Sequence, residues 1–171
     1  TGHTEALVNA TKEGRTNVRV VGLSDICESR LAAAKKMVED LQGADTCQTY
    51  PGYRALLERP DLHGVLIASP EHWHADMVID ALRAGKDVYV EKPMTRWLRD
   101  AFRVMDAVRD HPDRIVVVGT QFVLSPSTVE ARTQIENGSI GKAVWSQTSY
   151  CRNSKDGEWL YYAIDPAWQP G

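Results

Sequence analysis

The chain is poor in cysteine, and the few it has are badly spaced for a shared task. Cys27, Cys47 and Cys151 are the only three, and they fall in different predicted elements. Their odd number and the lack of any CxxC spacing argue against a disulfide framework and a thiolate metal clip. A reducing compartment is expected, and no metal. Long apolar runs are missing as well. Nothing reaches the roughly 20 residues that span a bilayer, and no basic-then-apolar signal segment opens the chain. The expected location is therefore the cytoplasm, with no membrane partner; export stays open because the beginning looks incomplete. An excess of positive charge is also absent. The formal net charge is −3, from 20 Lys and Arg against 23 Asp and Glu. Phosphate-backbone binding draws on clustered cations, so nucleic acid is not an expected partner.

What is present is an ordinary soluble composition, 43% hydrophobic and 25% charged over 171 residues. That length holds one full domain, or one domain and the start of another. Segment 2–10 is helix-compatible, with Ala6, Leu7 and Ala10 on one face and no strand before it. RVVGL at 19–23 reads as a buried strand ending at Ser24 and Asp25. Leu31, Ala34, Val38 and Leu41 recur at helical intervals over 27–41, as an amphipathic helix requires. Gly43 ends that helix, and 46–50 is expected to be a short sheet-edge strand. After a Pro51–Gly52 turn come a short helix carrying Tyr53, Leu56 and Leu57, then GVLIAS at 64–69. The unbroken apolar centre of the latter suits a strand covered on both faces.

Ala75, Val78, Ile79 and Leu82 form the inward stripe of the next helix, with Gly85 as its C-terminal cap. Val88, Tyr89 and Val90 favour a strand through stiff or flat side chains. Leu98, Ala101, Phe102, Met105 and Val108 then repeat at helical spacing, and IVVVG at 115–119 supplies another strand. Such alternation implies right-handed crossovers and a mostly parallel sheet. Beyond Gly119 the rhythm changes. A helix is expected over 125–137, with Pro126 in its first turn and Gly138 past its end. Segment 142–150 alternates like a half-buried antiparallel strand, Ala143, Trp145, Gln147 and Ser149 facing one way. A second domain is expected from Thr120. The tail through Trp159, Tyr161, Tyr162, Pro166, Trp168 and Pro170 reads as a ligand-covering or packing loop.

Chemistry concentrates where predicted strands end, the edge at which parallel sheets bind ligands. The stretch GKDVYVEKP, 85–93, delivers Glu91, Lys92 and Pro93 to that edge. Lys92 can donate to a substrate hydroxyl and favour the oxygen as it gains negative character; a solvated strand terminus is the plainer alternative. Glu91 can position Lys92 or border the nicotinamide side, Pro93 fixes the exit direction, and all three count among the expected cofactor-binding residues. An unshifted lysine is a poor base at neutral pH. Asp25 ends the first visible strand, where a dinucleotide fold uses an acid to accept from the adenosine ribose. A carboxylate there repels a 2′-phosphate and so favours NAD over NADP; the alternative is a helix N-cap. The glycine-rich fingerprint that precedes such a strand is missing. Gly2 reads as the last glycine of a phosphate loop whose own strand is absent. Ser69, Pro70, Glu71, His72, Trp73 and His74 occupy the next strand-to-helix junction and suit a cofactor-contacting loop. Equally, Ser69 or Glu71 caps the helix, Trp73 packs beneath the loop, and His74 holds it by a backbone bond. Two histidines one residue apart lack the further ligands of a metal site.

The run SPEHWHADMVIDALRAGKDVYVEKPM, 69–94, resembles the core signature of the glucose-fructose oxidoreductase, inositol dehydrogenase and rhizopine-catabolism oxidoreductase family. The resemblance implies an α/β fold: a Rossmann-like parallel sheet over 1–119, its first strand missing, followed over 120–171 by the start of an α+β substrate domain. It matches Asp25 to the ribose-recognising acid, Pro70 and His74 to the cofactor-side loop, and Glu91, Lys92 and Pro93 to the EKP motif. Lys92 is then the catalytic lysine, and the Lys92–Pro93 bond is often cis. Gly119, Thr120 and Gln121 resemble the segment that enters the second domain, which puts Gln121 among the expected cofactor-binding residues, although Phe122 and Val123 stand where many relatives carry an arginine. Gly138 to Lys142 resembles the turn before the substrate domain's first strand.

The implied activity is hydride transfer between NAD, less readily NADP, and a carbinol of a sugar, sugar derivative or cyclitol, in a dimer or tetramer. A downstream histidine beyond Gly171 is expected to act as base, so the chain reads as a fragment whose own turnover is uncertain. Two alternatives stand beside this reading: NAD-assisted glycoside hydrolysis without net redox change, and a non-catalytic dinucleotide-binding or assembly protein.

Overall fold

The structure is a computed structural model that describes residues 2–149. Cys151 and the aromatic tail, including Trp159 and Trp168, lie outside the described residues. The chain divides into two compact units, 1–119 and 120–171.

The first unit alternates helix and strand: α1 (Gly2–Lys12), β1 (Gly22–Ser24), α2 (Glu28–Gln42), β2 (Gln48–Tyr50), α3 (Tyr53–Leu57), β3 (Gly64–Ile67), α4 (Glu71–Arg83), β4 (Asp87–Glu91), α5 (Leu98–Asp110) and β5 (Val116–Gly119). All strand pairs are parallel, as crossover helices demand. They form two sheets, β1–β2 and β3–β4–β5, with no hydrogen-bonded pairing between β1 and β3. In the larger sheet Ile67 stands opposite Val90, and Glu91 stands opposite Gly119.

The main core lies on one face of that sheet. Val88 and Val90 of β4 point into it and meet Val78, Ile79 and Leu82 of α4 and Val104 of α5. Leu82 is fully buried, a burial of roughly 2–3 kcal/mol in lost apolar exposure. The α4 stripe thus lies where its periodicity puts it, with Ala75 buried beside the rest. Gly85 follows the helix at φ 71°, a left-handed conformation that glycine adopts without strain. Its N–H donates to the Leu82 carbonyl and that of Lys86 to Ala81, closing the helix. A smaller core joins Val8 of α1, Val38 of α2 and Cys47.

Several expectations are corrected. The inward residue of α1 is Val8, while Ala6 is exposed, because the larger Val8 fills the space beside Val38. The first visible strand shrinks from 19–23 to the three residues of β1, since its ladder reaches only as far as short β2. Strand β3 is not covered on both faces: Leu66 is 36% exposed, and β3 pairs only with β4. Helix α5 turns Val104 and Ala107 inward and leaves Leu98 74% exposed, with Phe102 and Met105 also open. Its apolar residues make two stripes, and only one can face the sheet.

In the second unit, α6 (Pro126–Glu136) starts at Ser125, whose side chain accepts from the Thr128 N–H. Gly138 and Gly141 follow at positive φ, and the Gly141 N–H donates to the Gly138 carbonyl, closing a turn. The strand expected over 142–150 does not form across 142–149. A ladder needs a partner, and the second unit holds no other strand among the described residues.

Candidate functional site

The carboxyl ends of β3 and β4 meet in a cluster held by one histidine. His74, in the first turn of α4, is 1% exposed. Its Nδ1 lies 2.8 Å from the Pro93 carbonyl and its Nε2 2.8 Å from the Ser69 carbonyl. A neutral imidazole donates to one such oxygen, a protonated one to both. Either way His74 ties the loop after β3 to the loop after β4, and neither nitrogen is left for a ligand. The structure therefore gives His74 the holding role of the two considered from sequence.

Its neighbours differ. Pro70 is the N-cap residue of α4, and no side chain caps that end, so neither Ser69 nor Glu71 performs the capping role. The Ser69 hydroxyl instead lies 3.3 Å from the Met77 sulfur. Trp73 does not pack beneath the loop but is exposed, with His72 beside it at a ring separation of 5.9 Å. His72, Trp73 and Pro70 are thus open to a ligand along the strand-end rim.

Strand β4 alternates strictly, so Val88 and Val90 go inward while Tyr89 and Glu91 share the opposite face. Glu91 accepts the Lys92 backbone N–H on Oε2 at 3.1 Å. Its Oε1 lies 3.0 Å from Nε2 of His3, in the first turn of α1. The His3 ring stands 6.3 Å from that of Tyr89. His3 was not legible as a site residue: a lone histidine near a helix start carries no motif, and only the path of α1 brings it to Glu91. Lys92 is exposed, with no ion pair to its ammonium among the described residues. The Lys92–Pro93 peptide bond is cis.

Asp25 lies just past β1, exposed, with Oδ1 accepting the Cys27 N–H at 2.8 Å. This bond closes a turn before α2 and is not an N-cap, a position held by Cys27. Ile26 beside it is 84% exposed, an apolar surface that sequence reasoning passed over. Gly2 opens α1, and a Cβ added there meets nothing within 4 Å. Gln121 belongs to the second unit, exposed in the turn that precedes α6. An open cleft of about 560 Å³, whose lining mixes the cations Arg54, Arg59, Arg83 and Lys86 with the acids Glu58 and Asp80, lies at the entering ends of β3 and β4, away from the strand-end cluster. No group of acids, histidines and cysteines able to hold a metal occurs among the described residues. Nor is any described helix long and apolar enough to cross a membrane.

The chain as a whole has relatives among known proteins. The chain is 31% identical over 140 residues to inositol 2-dehydrogenase from Gluconacetobacter diazotrophicus, covering 81% of this chain and 40% of that protein. It is 33% identical over 101 residues to levoglucosan dehydrogenase from Pseudarthrobacter phenanthrenivorans, covering 59% and 26%. An α-N-acetylgalactosaminidase from Shewanella oneidensis is 26% identical over 158 residues, covering 83% and 34%. Among solved structures, levoglucosan dehydrogenase in complex with NADH and levoglucosan superposes with a TM-score of 0.63 at 30% identity, covering 73% of this chain and 32% of that one. The chain thus spans 40% or less of the length of each of these relatives. A family model described as an oxidoreductase family with an NAD-binding Rossmann fold matches residues 2–120. The chain belongs to this family, the Gfo/Idh/MocA oxidoreductases.

Proposed function

We propose that residues 1–119 are the NAD-binding domain, and 120–171 the start of the substrate domain, of an oxidoreductase acting on a carbinol of a sugar, sugar derivative or cyclitol. The observation that carries this reading is the exposed Lys92 ammonium at the carboxyl end of β4, with its strand end fastened by Glu91 and its loop by His74. The chain's residues fit a dinucleotide. Asp25 keeps an exposed carboxylate after β1 for the ribose hydroxyls, and its charge disfavours a 2′-phosphate. Ile26 offers apolar surface to a base, α1 presents its N-terminus and Gly2 to phosphate, and the Ser69–Trp73 rim and Pro93 border the path between them.

NAD, when bound, supplies the hydride acceptor. Lys92 donates a hydrogen bond to the substrate hydroxyl and stabilises the oxygen as negative charge develops on it. Glu91 and His74 hold the strand end so that this donor is in place before the substrate arrives, which is where alignment lowers a barrier. Gln121 belongs to the cofactor-binding set in this reading, and a histidine of the complete substrate domain takes the hydroxyl proton. A cytoplasmic homodimer or homotetramer belongs to the same reading, the assembly to be measured by light scattering.

Calorimetry with NAD and NADP tests the nucleotide half; a clear NADP preference rejects the Asp25 role. In the full-length protein, stoichiometric NADH formation from a free polyol or sugar is expected. Lys92→Ala is expected to abolish it while leaving folding and cofactor affinity intact. Sugar released from an oligosaccharide with no NADH accumulation would instead favour the hydrolytic chemistry that the name of the Shewanella oneidensis relative denotes. Wild-type turnover in Lys92→Ala refutes the catalytic assignment.

A further inference from the structure

The strand end that carries Lys92 is fastened to a helix distant in sequence. Both oxygens of the Glu91 carboxylate are in use: Oε2 takes the Lys92 N–H at 3.1 Å, and Oε1 stands 3.0 Å from His3 Nε2. The Glu91 side chain is only 19% exposed, so its rotation is restricted on the protein side and held by His3 on the other. Space for this arrangement comes from β5. Gly119 is the residue directly opposite Glu91 in the parallel ladder. A Cβ added to it would lie 2.9 Å from Glu91 Oε1 and 2.5 Å from the Tyr89 hydroxyl, closer than real side chains approach. Any larger residue at 119 must displace the tips of both side chains from the positions in which they meet His3.

We propose that His3 and Gly119 are positioning residues for Lys92, acting through Glu91. His3 pins one carboxylate oxygen to the first turn of α1, leaving the other directed at the Lys92 amide. Gly119 keeps open the volume in which that carboxylate sits. A lysine side chain is long and rotatable, so the place its ammonium can reach is set first by where its backbone is anchored. The same link joins the α1 N-terminus, where the proposed function places the nucleotide's phosphate, to the strand end where it places the substrate hydroxyl. Only this last consequence rests on that proposal; the positioning of the Lys92 backbone does not.

The test is residue-resolved amide exchange by NMR on the chain as it stands, comparing wild type with His3→Ala, His3→Gln and Gly119→Ala. Lys92 N–H exchange is expected to quicken several-fold in His3→Ala and Gly119→Ala. Wild-type exchange is expected in His3→Gln, whose side-chain amide still donates to a carboxylate. The double variant should exchange no faster than either single one, because the two changes break one linkage. The Val90 N–H, inside the ladder, serves as the control that a general loosening would move. Unchanged Lys92 exchange in both His3→Ala and Gly119→Ala overturns the proposal, as does an equal rise at Val90 or a His3→Gln that behaves like alanine. Should His3→Ala fail to fold, Gly119→Ala, which leaves α1 untouched, decides the question. NADH titrated into the same samples is expected to bind about fivefold more weakly to His3→Ala, the equivalent of one modest hydrogen bond. Failure of the wild type to bind NADH would count against the nucleotide reading alone and leave the exchange result in force.

Discussion

Replacing His74 is the sharpest probe of the strand-end cluster, because the ring's work there is done by two nitrogens and almost no exposed surface. His74→Phe preserves a planar ring of similar bulk and removes both nitrogens. The Ser69 and Pro93 carbonyls, each 2.8 Å from the ring in the native chain, then face carbon. A buried polar group left without its partner costs about 1–3 kcal/mol. One or both carbonyls lose a donor, depending on the protonation of the native ring, so the expected loss of stability is about 1–3 kcal/mol for each carbonyl that loses one. His74→Gln retains a side-chain amide with two N–H donors and is expected to recover roughly half of that loss. Urea unfolding followed by circular dichroism gives the answer, as a lower midpoint at unchanged slope. A loss below about 0.5 kcal/mol for His74→Phe, the range of ordinary surface changes, would refute the claim that His74 joins the two loops energetically.

Further outcomes follow from other parts of the structure. Burial first, and then the bond from its hydroxyl to Asp80, push the Tyr53 phenol up to about 12. An unfolded tyrosine titrates near 10, so the native state holds the proton longer. The stability Tyr53 contributes is complete below about pH 10 and is lost as pH rises toward 12. Melting temperatures across that window should fall less steeply in Tyr53→Phe; parallel curves would rule this out. Gly85→Ala forces a side chain into φ 71° and should lower stability by about 1 kcal/mol; an unchanged urea midpoint would contradict that. Burial and the nearby Glu39 charge raise the Cys47 thiol, so a disulfide reagent at neutral pH should modify Cys47 much more slowly in the native than in the urea-unfolded chain. Equal rates, read by mass spectrometry of the labelled peptide, would show that Cys47 is not shielded.

The parts of this protein legible from sequence share a physical trait. The inward face of α4 and the closure of that helix by Gly85 are local: period, cap and breaker lie within a few residues of each other. The order of strands and helices was readable for the same reason, and so was the lysine-bearing strand end, whose residues are contiguous. Helix α5 was legible as a helix but not in orientation, since Leu98, Phe102 and Met105 repeat as regularly as the residues that face the core. Exposure of Leu66 depended on which strands stand beside β3, a fact no window of sequence contains. Segment 142–149 alternates like a strand, yet alternation supplies a pattern and not the partner that a ladder requires.

Within residues 1–119 the sequence by itself determined the order and type of the elements, the parallel sense of the strands and the residues delivered to the strand ends, because backbone sterics and side-chain period act over short stretches. Tertiary structure alone decided that His74 is a fastener with no nitrogen to offer a ligand, that His3 meets Glu91, and that Gly119 leaves room for both. Those outcomes are set by the meeting of groups remote along the chain, through sheet register and helix path, where a shift of one residue would turn Glu91 to the opposite face.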